Sequence, residues 1–79
     1  MYAQSPIQNL AEKLIEARGL DYSLAYKVLK EYLKGLSDIE FLNQMSKVDN
    51  PNIFRYLWSV GLNLRQQETA TMRWKELTE

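Results

Sequence analysis

Residues 5–36 read SPIQNLAEKLIEARGLDYSLAYKVLKEYLKGL, and this stretch decides the fold. Its first half carries apolar residues at the i, i+3, i+4, i+7 spacing of a half-buried helix. Those residues are Ile7, Leu10, Ala11, Leu14 and Ile15. Its second half repeats the spacing with Ala25, Val28, Leu29, Tyr32, Leu33 and Leu36. Two amphipathic helices joined by so short a link are expected to pack antiparallel or steeply crossed, as a helical hairpin.

The ends of the two helices are marked by turn and capping residues. Ser5 followed by Pro6 predicts the start of the first helix, with the serine as N-cap. Gly19 is expected just past the end of that helix, where a left-handed backbone is needed. Leu20 is then expected to fold back onto the last turn, and Asp21 to cap the second helix.

The pattern Gly19-Leu20-x4-Ala25-x3-Leu29, preceded by LAEKLIEA, resembles the first helical hairpin of the histone-like HU family. It is also similar to the glycine-hydrophobic corner of ubiquitin-associated domains. HU-type proteins continue into a β-sheet with basic arms, whereas this chain continues in helical patterns without excess positive charge. Each resemblance therefore implies the shape of the corner, and neither family's function is carried over.

Two further capping signals divide the rest of the chain. Ser37 and Glu40 form a Ser-x-x-Glu capping box, which predicts a short third helix. Its expected inner residues are Ile39, Phe41, Leu42 and Met45. Asn50-Pro51 predicts the start of a fourth helix. That helix carries Ile53, Phe54, Leu57, Trp58 and Val60.

The C-terminal segment leaves the helix count open. Gly61 either ends the fourth helix or is tolerated within a longer one. Beyond it, Leu62, Ala70, Trp74 and Leu77 fall near one helical stripe. The predicted fold is a single all-α domain over residues 1–79, a small orthogonal or antiparallel helical bundle of four to five helices. Its parts are a frayed tail (1–4), the hairpin (5–36), a short helix (37–46) and a C-terminal helical segment (50–78).

The composition excludes several kinds of chemistry. The chain has no histidine and no cysteine, so it lacks the usual general base at neutral pH and the commonest metal ligands. Its three glycines are isolated and do not form a phosphate-binding loop. We therefore expect no catalytic residue, no metal, no cofactor and no small-molecule substrate, and we predict that the protein is not an enzyme.

Charge and hydropathy limit the partners. Ten basic and ten acidic residues give a formal net charge of zero, so no long-range field steers the chain towards nucleic acid or anionic lipid. No apolar run approaches the roughly 20 residues that span a bilayer. We expect a cytoplasmic protein without a membrane partner.

A helix-turn-helix interpretation is the alternative that the hairpin leaves open. Residues 21–34 would be the recognition helix of a nucleic-acid-binding protein. They would expose hydroxyls and lysines that can contact phosphates or bases. These side chains are Tyr22, Ser23, Tyr26, Lys27 and Lys30. The helix lacks arginine and asparagine and carries Glu31 among its lysines, which favours an ordinary solvated face.

Aromatic residues give the remaining functional signal. Tyrosine, tryptophan and arginine are enriched at binding hot spots, and Tyr22 and Tyr26 are expected on one side of the second helix, off its buried stripe. The predicted protein-binding residues are Tyr22, Tyr26, Lys30, Arg55, Tyr56, Arg73 and Trp74. We predict a small non-catalytic protein-interaction or regulatory domain that binds a partner protein or forms a homodimer. Inhibitors and adaptors, including those carried by phages or mobile elements, are typically of this size and composition.

Overall fold

Five α-helices and one 3-10 turn form the chain in the computed structural model, which describes residues 5–79. The helices are α1 (Pro6–Glu16), α2 (Leu20–Lys34), α3 (Asp38–Met45), α4 (Phe54–Val60) and α5 (Leu64–Thr78), and the 3-10 turn (Pro51–Ile53) leads into α4. No strand occurs within the described range, so the all-α prediction is confirmed. The predicted frayed tail, residues 1–4, lies outside the described residues.

Capping side chains mark the starts of α1, α3, the 3-10 turn and α5. The Ser5 hydroxyl accepts a hydrogen bond from the Gln8 backbone N–H at 3.4 Å. The predicted capping box before α3 is present, since the Glu40 N–H donates to the Ser37 hydroxyl at 3.2 Å and the Ser37 N–H to the Glu40 carboxylate at 3.2 Å. Gly61 has a φ of 103°, a conformation that side chains disfavour, and it ends α4. The C-terminal segment is therefore a separate fifth helix.

The corner between α1 and α2 differs from the prediction. Gly19 has the expected positive φ, 58°. It does not follow the last residue of α1, which ends at Glu16, and instead directly precedes α2. The Arg18 guanidinium donates to the free carbonyls at the end of α1, including that of Ala17 at 3.0 Å, so a side chain satisfies the groups that a glycine cap would have satisfied. Leu20 is exposed and does not fold back onto α1. Asp21 lies within the first turn of α2 and does not cap it, since no side chain caps this helix.

The hydrophobic core draws on every helix and on the loop between α3 and the 3-10 turn. α1 packs against α2 and α3 packs against α5; the two pairs are joined by contacts of α1 with α3 and of α4 with α1, α2 and α5. The buried apolar residues are Ile7, Ala11, Leu14, Leu29, Leu33, Phe41, Met45, Val48, Ile53, Phe54, Leu57, Val60, Leu62 and Ala70.

Several residues that were predicted to face inward are exposed. They are Val28, Ile39 and Leu42; Trp58 and Trp74, whose burial the sequence pattern did not decide, are 38% and 41% exposed. In α2 and α3 the buried stripe is narrow: Leu29 and Leu33 are the buried residues of α2, and Phe41 and Met45 those of α3. A helix at the edge of a small bundle is covered on one side only, so its second row of apolar residues stays in solvent.

Glutamine side chains add hydrogen bonds between the helices. The Gln44 amide accepts from the Ile7 N–H at 3.1 Å and donates to the Tyr32 hydroxyl at 2.8 Å. The Gln66 amide donates to the Leu33 carbonyl at 3.3 Å. Throughout residues 5–79, no buried side-chain nitrogen or oxygen lacks a hydrogen-bond partner. None of the described helices combines the length and hydropathy needed to cross a membrane.

Candidate functional site

The outer side of α2 presents a row of aliphatic side chains to solvent. Leu20, Leu24 and Val28 are 83%, 63% and 52% exposed. Their i, i+4, i+8 spacing places them on one helix face, and we call them the α2 ridge. Leu29 and Leu33 on the other side of α2 fill the core, so the helix is apolar on two faces.

Three lysines border the α2 ridge. Lys27, Lys30 and Lys34 are exposed, and their i, i+3, i+7 spacing places them along one side of α2; we call them the lysine row. Neither ion pair found among residues 5–79 involves them. Asp21 and Glu31 lie on the same helix, so α2 has three basic and two acidic side chains, a net charge of +1.

Two predicted site residues, Tyr22 and Tyr26, lie side by side on the core-facing side of α2, roughly 160° around the helix from the α2 ridge. Their ring centroids are 6.4 Å apart. Tyr26 is half-buried and packs against the core, and its hydroxyl donates to the Ser59 carbonyl at 3.1 Å. The Tyr26 ring is therefore partly committed to holding α2 against the end of α4, which differs from the expectation that it stands off the buried stripe. Tyr22 is exposed.

Lys30 continues the edge that Tyr22 and Tyr26 begin. It lines a cleft of 380 Å³ between α2 and the α4–α5 link, opposite Gly61 and Asn63. The structure thus brings Tyr22, Tyr26 and Lys30 together along one edge of α2.

The other predicted site residues lie elsewhere. Arg55 is exposed on α4, and Tyr56 beside it is half-buried against the core. Arg73 binds within the fold: its guanidinium donates twice to the Val48 carbonyl, at 3.0 and 2.7 Å. Trp74 is partly exposed on α5.

A second apolar surface lies between α3 and α5. Ile39, Leu42 and Met72 are 72%, 55% and 69% exposed. They line two depressions of 460 and 260 Å³, which share Leu42 of α3 and Thr69 of α5. We call this surface the α3–α5 groove. Buried Phe41 and Met45 also line it.

Ion pairs lie at both ends of the α3–α5 groove. The Arg65 guanidinium is 3.8 Å from the Asp38 carboxylate at one end, and the Arg73 guanidinium is 3.4 Å from the Glu76 carboxylate at the other. Both carboxylates and Arg65 are exposed, so these pairs are weak and these three side chains are free to change partner.

Sequence reasoning missed the α2 ridge and the α3–α5 groove because it assigned several of their residues to the core. The number of apolar residues in α2 and in α3 could have indicated these surfaces. α2 contains more large apolar side chains than one face of a 15-residue helix can bury, and α3 has Ile39, Phe41, Leu42 and Met45 within eight residues. Such an excess predicts a second apolar face.

Across the described range, no group of three or more acidic side chains comes together in a way that could hold a metal ion. No family model, curated protein or solved structure matches the chain. The α2 ridge and the α3–α5 groove each bring three exposed apolar side chains together.

Proposed function

We propose that this chain is a non-catalytic protein-interaction domain that binds a partner protein through the outer side of α2. The observation that carries the proposal is the α2 ridge, in which Leu20, Leu24 and Val28 lie in one exposed row. Exposed apolar residues grouped together, and bordered by charge, are characteristic of interaction sites. Binding without catalysis is how inhibitors and adaptors act, so the proposed role is regulatory.

The spacing of the α2 ridge defines the shape of the partner's site. Anchors at i, i+4 and i+8 are those of a helix that lays its apolar face in a hydrophobic groove. Burial of each such aliphatic side chain contributes about 1.5–3 kcal/mol. Three anchors therefore supply a useful part of the binding free energy, before the entropy lost on association is subtracted.

The lysine row defines the partner's charge. Lys27, Lys30 and Lys34 lie beside the ridge, so a matching surface carries Asp or Glu at one rim of its groove. Such complementarity raises the association rate and selects among partners more than it raises affinity. The proposed partner is thus a protein with an apolar groove and an acidic border.

Tyr22 and Tyr26 lie beyond the lysine row from the α2 ridge, next to Lys30, so they contribute to binding where the partner extends past the lysines. Because the Tyr26 hydroxyl is already bonded to the Ser59 carbonyl, its ring loses little freedom on binding. Tyrosine held in this way offers contact area at low entropic cost.

The test uses a matched pair of leucines. Leu24 on the α2 ridge and Leu64 on α5 are both largely exposed, at 63% and 76%, so Leu24→Asp and Leu64→Asp are equivalent changes on different surfaces. Each variant and the unchanged protein would be immobilised, and proteins captured from the native cells would be quantified by mass spectrometry. We expect a partner that the unchanged protein and Leu64→Asp both retain and that Leu24→Asp loses.

The purified partner then gives the affinity. Calorimetry should show at least about a tenfold increase in Kd for Leu24→Asp, which is about 1.4 kcal/mol, and a Kd for Lys27→Glu that rises with salt less steeply than that of the unchanged protein. A partner that all three proteins bind equally would place the interaction elsewhere and refute the proposal.

Nucleic-acid binding is the second candidate, and the unpaired lysine row is the observation that favours it. Lys27 and Lys30 could contact phosphates from a helix-turn-helix-like hairpin, with residues 21–34 as the recognition helix. A gel-shift assay at low salt distinguishes the two functions. Binding that Lys27→Glu weakens and the uncharged change Leu24→Ala does not would favour nucleic acid, and the absence of any shift at low salt would remove this candidate.

A further inference from the structure

We propose that the α3–α5 groove binds a second copy of this chain, so that the protein is a two-fold symmetric homodimer in which α5 lies antiparallel to α5 of its mate. This surface is separate from the α2 ridge, and the inference does not depend on the proposed partner. Three features of the groove lead to it: its exposed apolar centre, the spacing of α5 residues along it, and the order of charges at its ends.

The apolar centre of the groove is incomplete within one chain. Leu42 and Met72 project above the buried floor, and Ile39 extends the apolar surface along α3. A helix laid in this groove would cover all three side chains. The energetic gain from burying apolar area is what drives most protein association.

The side of α5 that borders the groove has the spacing of a helix–helix seam. Arg65, Thr69, Met72 and Glu76 all line the groove. Successive members are separated by four, three and four residues, the alternation found where two helices pack along their length. The 15-residue α5 is about 22 Å long, so this seam spans most of one side of the molecule.

The charges make that seam complementary to itself. In the proposed dimer the two α5 helices run antiparallel, and the two-fold axis passes between Ala70 and Thr71. Each position then faces the position of the second copy for which the two numbers add to 141. Position 65 faces 76, and position 69 faces 72. Arg65 then faces Glu76 of the second copy at both ends, and Thr69 faces Met72 in the middle. A parallel arrangement would instead set Arg65 against Arg65. A two-fold interface requires the same patch on both partners, and the antiparallel order satisfies this with opposite charges in contact.

The ion pairs that Arg65 and Glu76 make within one chain do not prevent them from pairing across the dimer. Arg65 is 3.8 Å from Asp38, and both side chains are largely exposed. Glu76 is exposed too, while Arg73 is held by the Val48 carbonyl through two shorter bonds. Glu76 can therefore turn to Arg65 of the mate without releasing Arg73 from the fold.

The size of the molecule is compatible with this interface. A standard interface buries about 800 Å² on each partner. The described chain exposes 5510 Å², so the dimer needs about one seventh of that surface. The facing sides of α3 and α5 are the source of this area.

The experiment measures oligomeric state by sedimentation equilibrium at several protein concentrations. The unchanged protein should dimerise, and Met72→Asp should raise the dimer Kd at least about tenfold. Leu64→Asp is the control, because position 64 lies about 100° around α5 from Arg65 and its change should leave the dimer intact. Far-UV circular dichroism would confirm that every variant remains helical.

Charge reversal tests the antiparallel order. Arg65→Glu and Glu76→Arg each place like charges at both ends of the seam, so each alone should weaken the dimer about tenfold or more. An equimolar mixture of the two variants should form a heterodimer with opposite charges in contact at both ends, and the double variant should dimerise about as well as the unchanged protein. A chain that stays monomeric up to about 1 mM, a dimer that Met72→Asp leaves unaffected, or a mixture no stronger than its components would overturn the proposal.

Discussion

The Gln8 side chain joins the first helix to the loop that leads into α4, and its removal gives the sharpest test of how this small fold is held together. Gln8 is buried in α1. Its carbonyl oxygen accepts from the backbone N–H of Asp49 at 2.8 Å and of Asn50 at 3.3 Å. Its amide donates to the Asp49 carboxylate at 2.9 Å and to Glu12 at 3.4 Å.

The expected cost of Gln8→Ala follows from these contacts. A neutral hydrogen bond contributes about 1 kcal/mol and one to a charged group about 1.5–3 kcal/mol. Two of the four bonds are long, and Asp49 is exposed, so water compensates for part of the loss. We expect the free energy of unfolding to fall by about 2–3 kcal/mol. For a domain of this size that corresponds to a decrease in Tm of roughly 10–20 °C.

Urea unfolding followed by circular dichroism at 222 nm measures the change. Asn9→Ala is the matched control, since Asn9 is the next residue of α1 and is exposed; its effect should stay within about 0.5 kcal/mol. A Gln8→Ala protein as stable as the control would show that the link between α1 and the loop does not stabilise the fold.

Three other substitutions test separate parts of the fold by the same unfolding measurement. Leu57→Ala should cost about 2–5 kcal/mol because Leu57 is completely buried in α4, and a smaller loss would contradict the assigned core. Gly61→Ala should cost about 1–3 kcal/mol through backbone strain alone, since its φ is 103° and nothing lies within 4 Å of an added Cβ. Its control, Gly35→Ala at a φ of −85°, should be close to neutral, and equal effects would refute the assignment of strain. Tyr26→Phe removes the donor to the Ser59 carbonyl and should cost about 1 kcal/mol, whereas an unchanged stability would mean that this bond adds nothing to the fold.

Local signals in the sequence predicted three capping residues correctly. Ser5, Ser37 and Asn50 were recognised as caps, and each side chain accepts the expected backbone hydrogen bond. Such signals depend on residues three or fewer positions apart, so a sequence shows them directly. The second capping box, Asn63 with Gln66, has the same local form and was not recognised.

The direction in which apolar residues point was harder to predict. Val28, Ile39 and Leu42 fit a helical stripe as well as their buried neighbours do, but which stripe is covered depends on how many helices pack around it. That number is a property of the tertiary structure. The same limit applies to Arg73, whose bond to the Val48 carbonyl joins residues 25 positions apart and converts a predicted binding residue into part of the fold.

The most direct test of the central claim, that the outer side of α2 binds another protein, is site-specific photocrosslinking from position 24. A photoreactive phenylalanine analogue would replace Leu24 in one variant and Leu64 in a second, and adducts formed in the native cells would be identified by mass spectrometry. The account predicts an adduct with a different protein from position 24 that does not form from position 64. No adduct from position 24, or the same adducts from both positions, would contradict it.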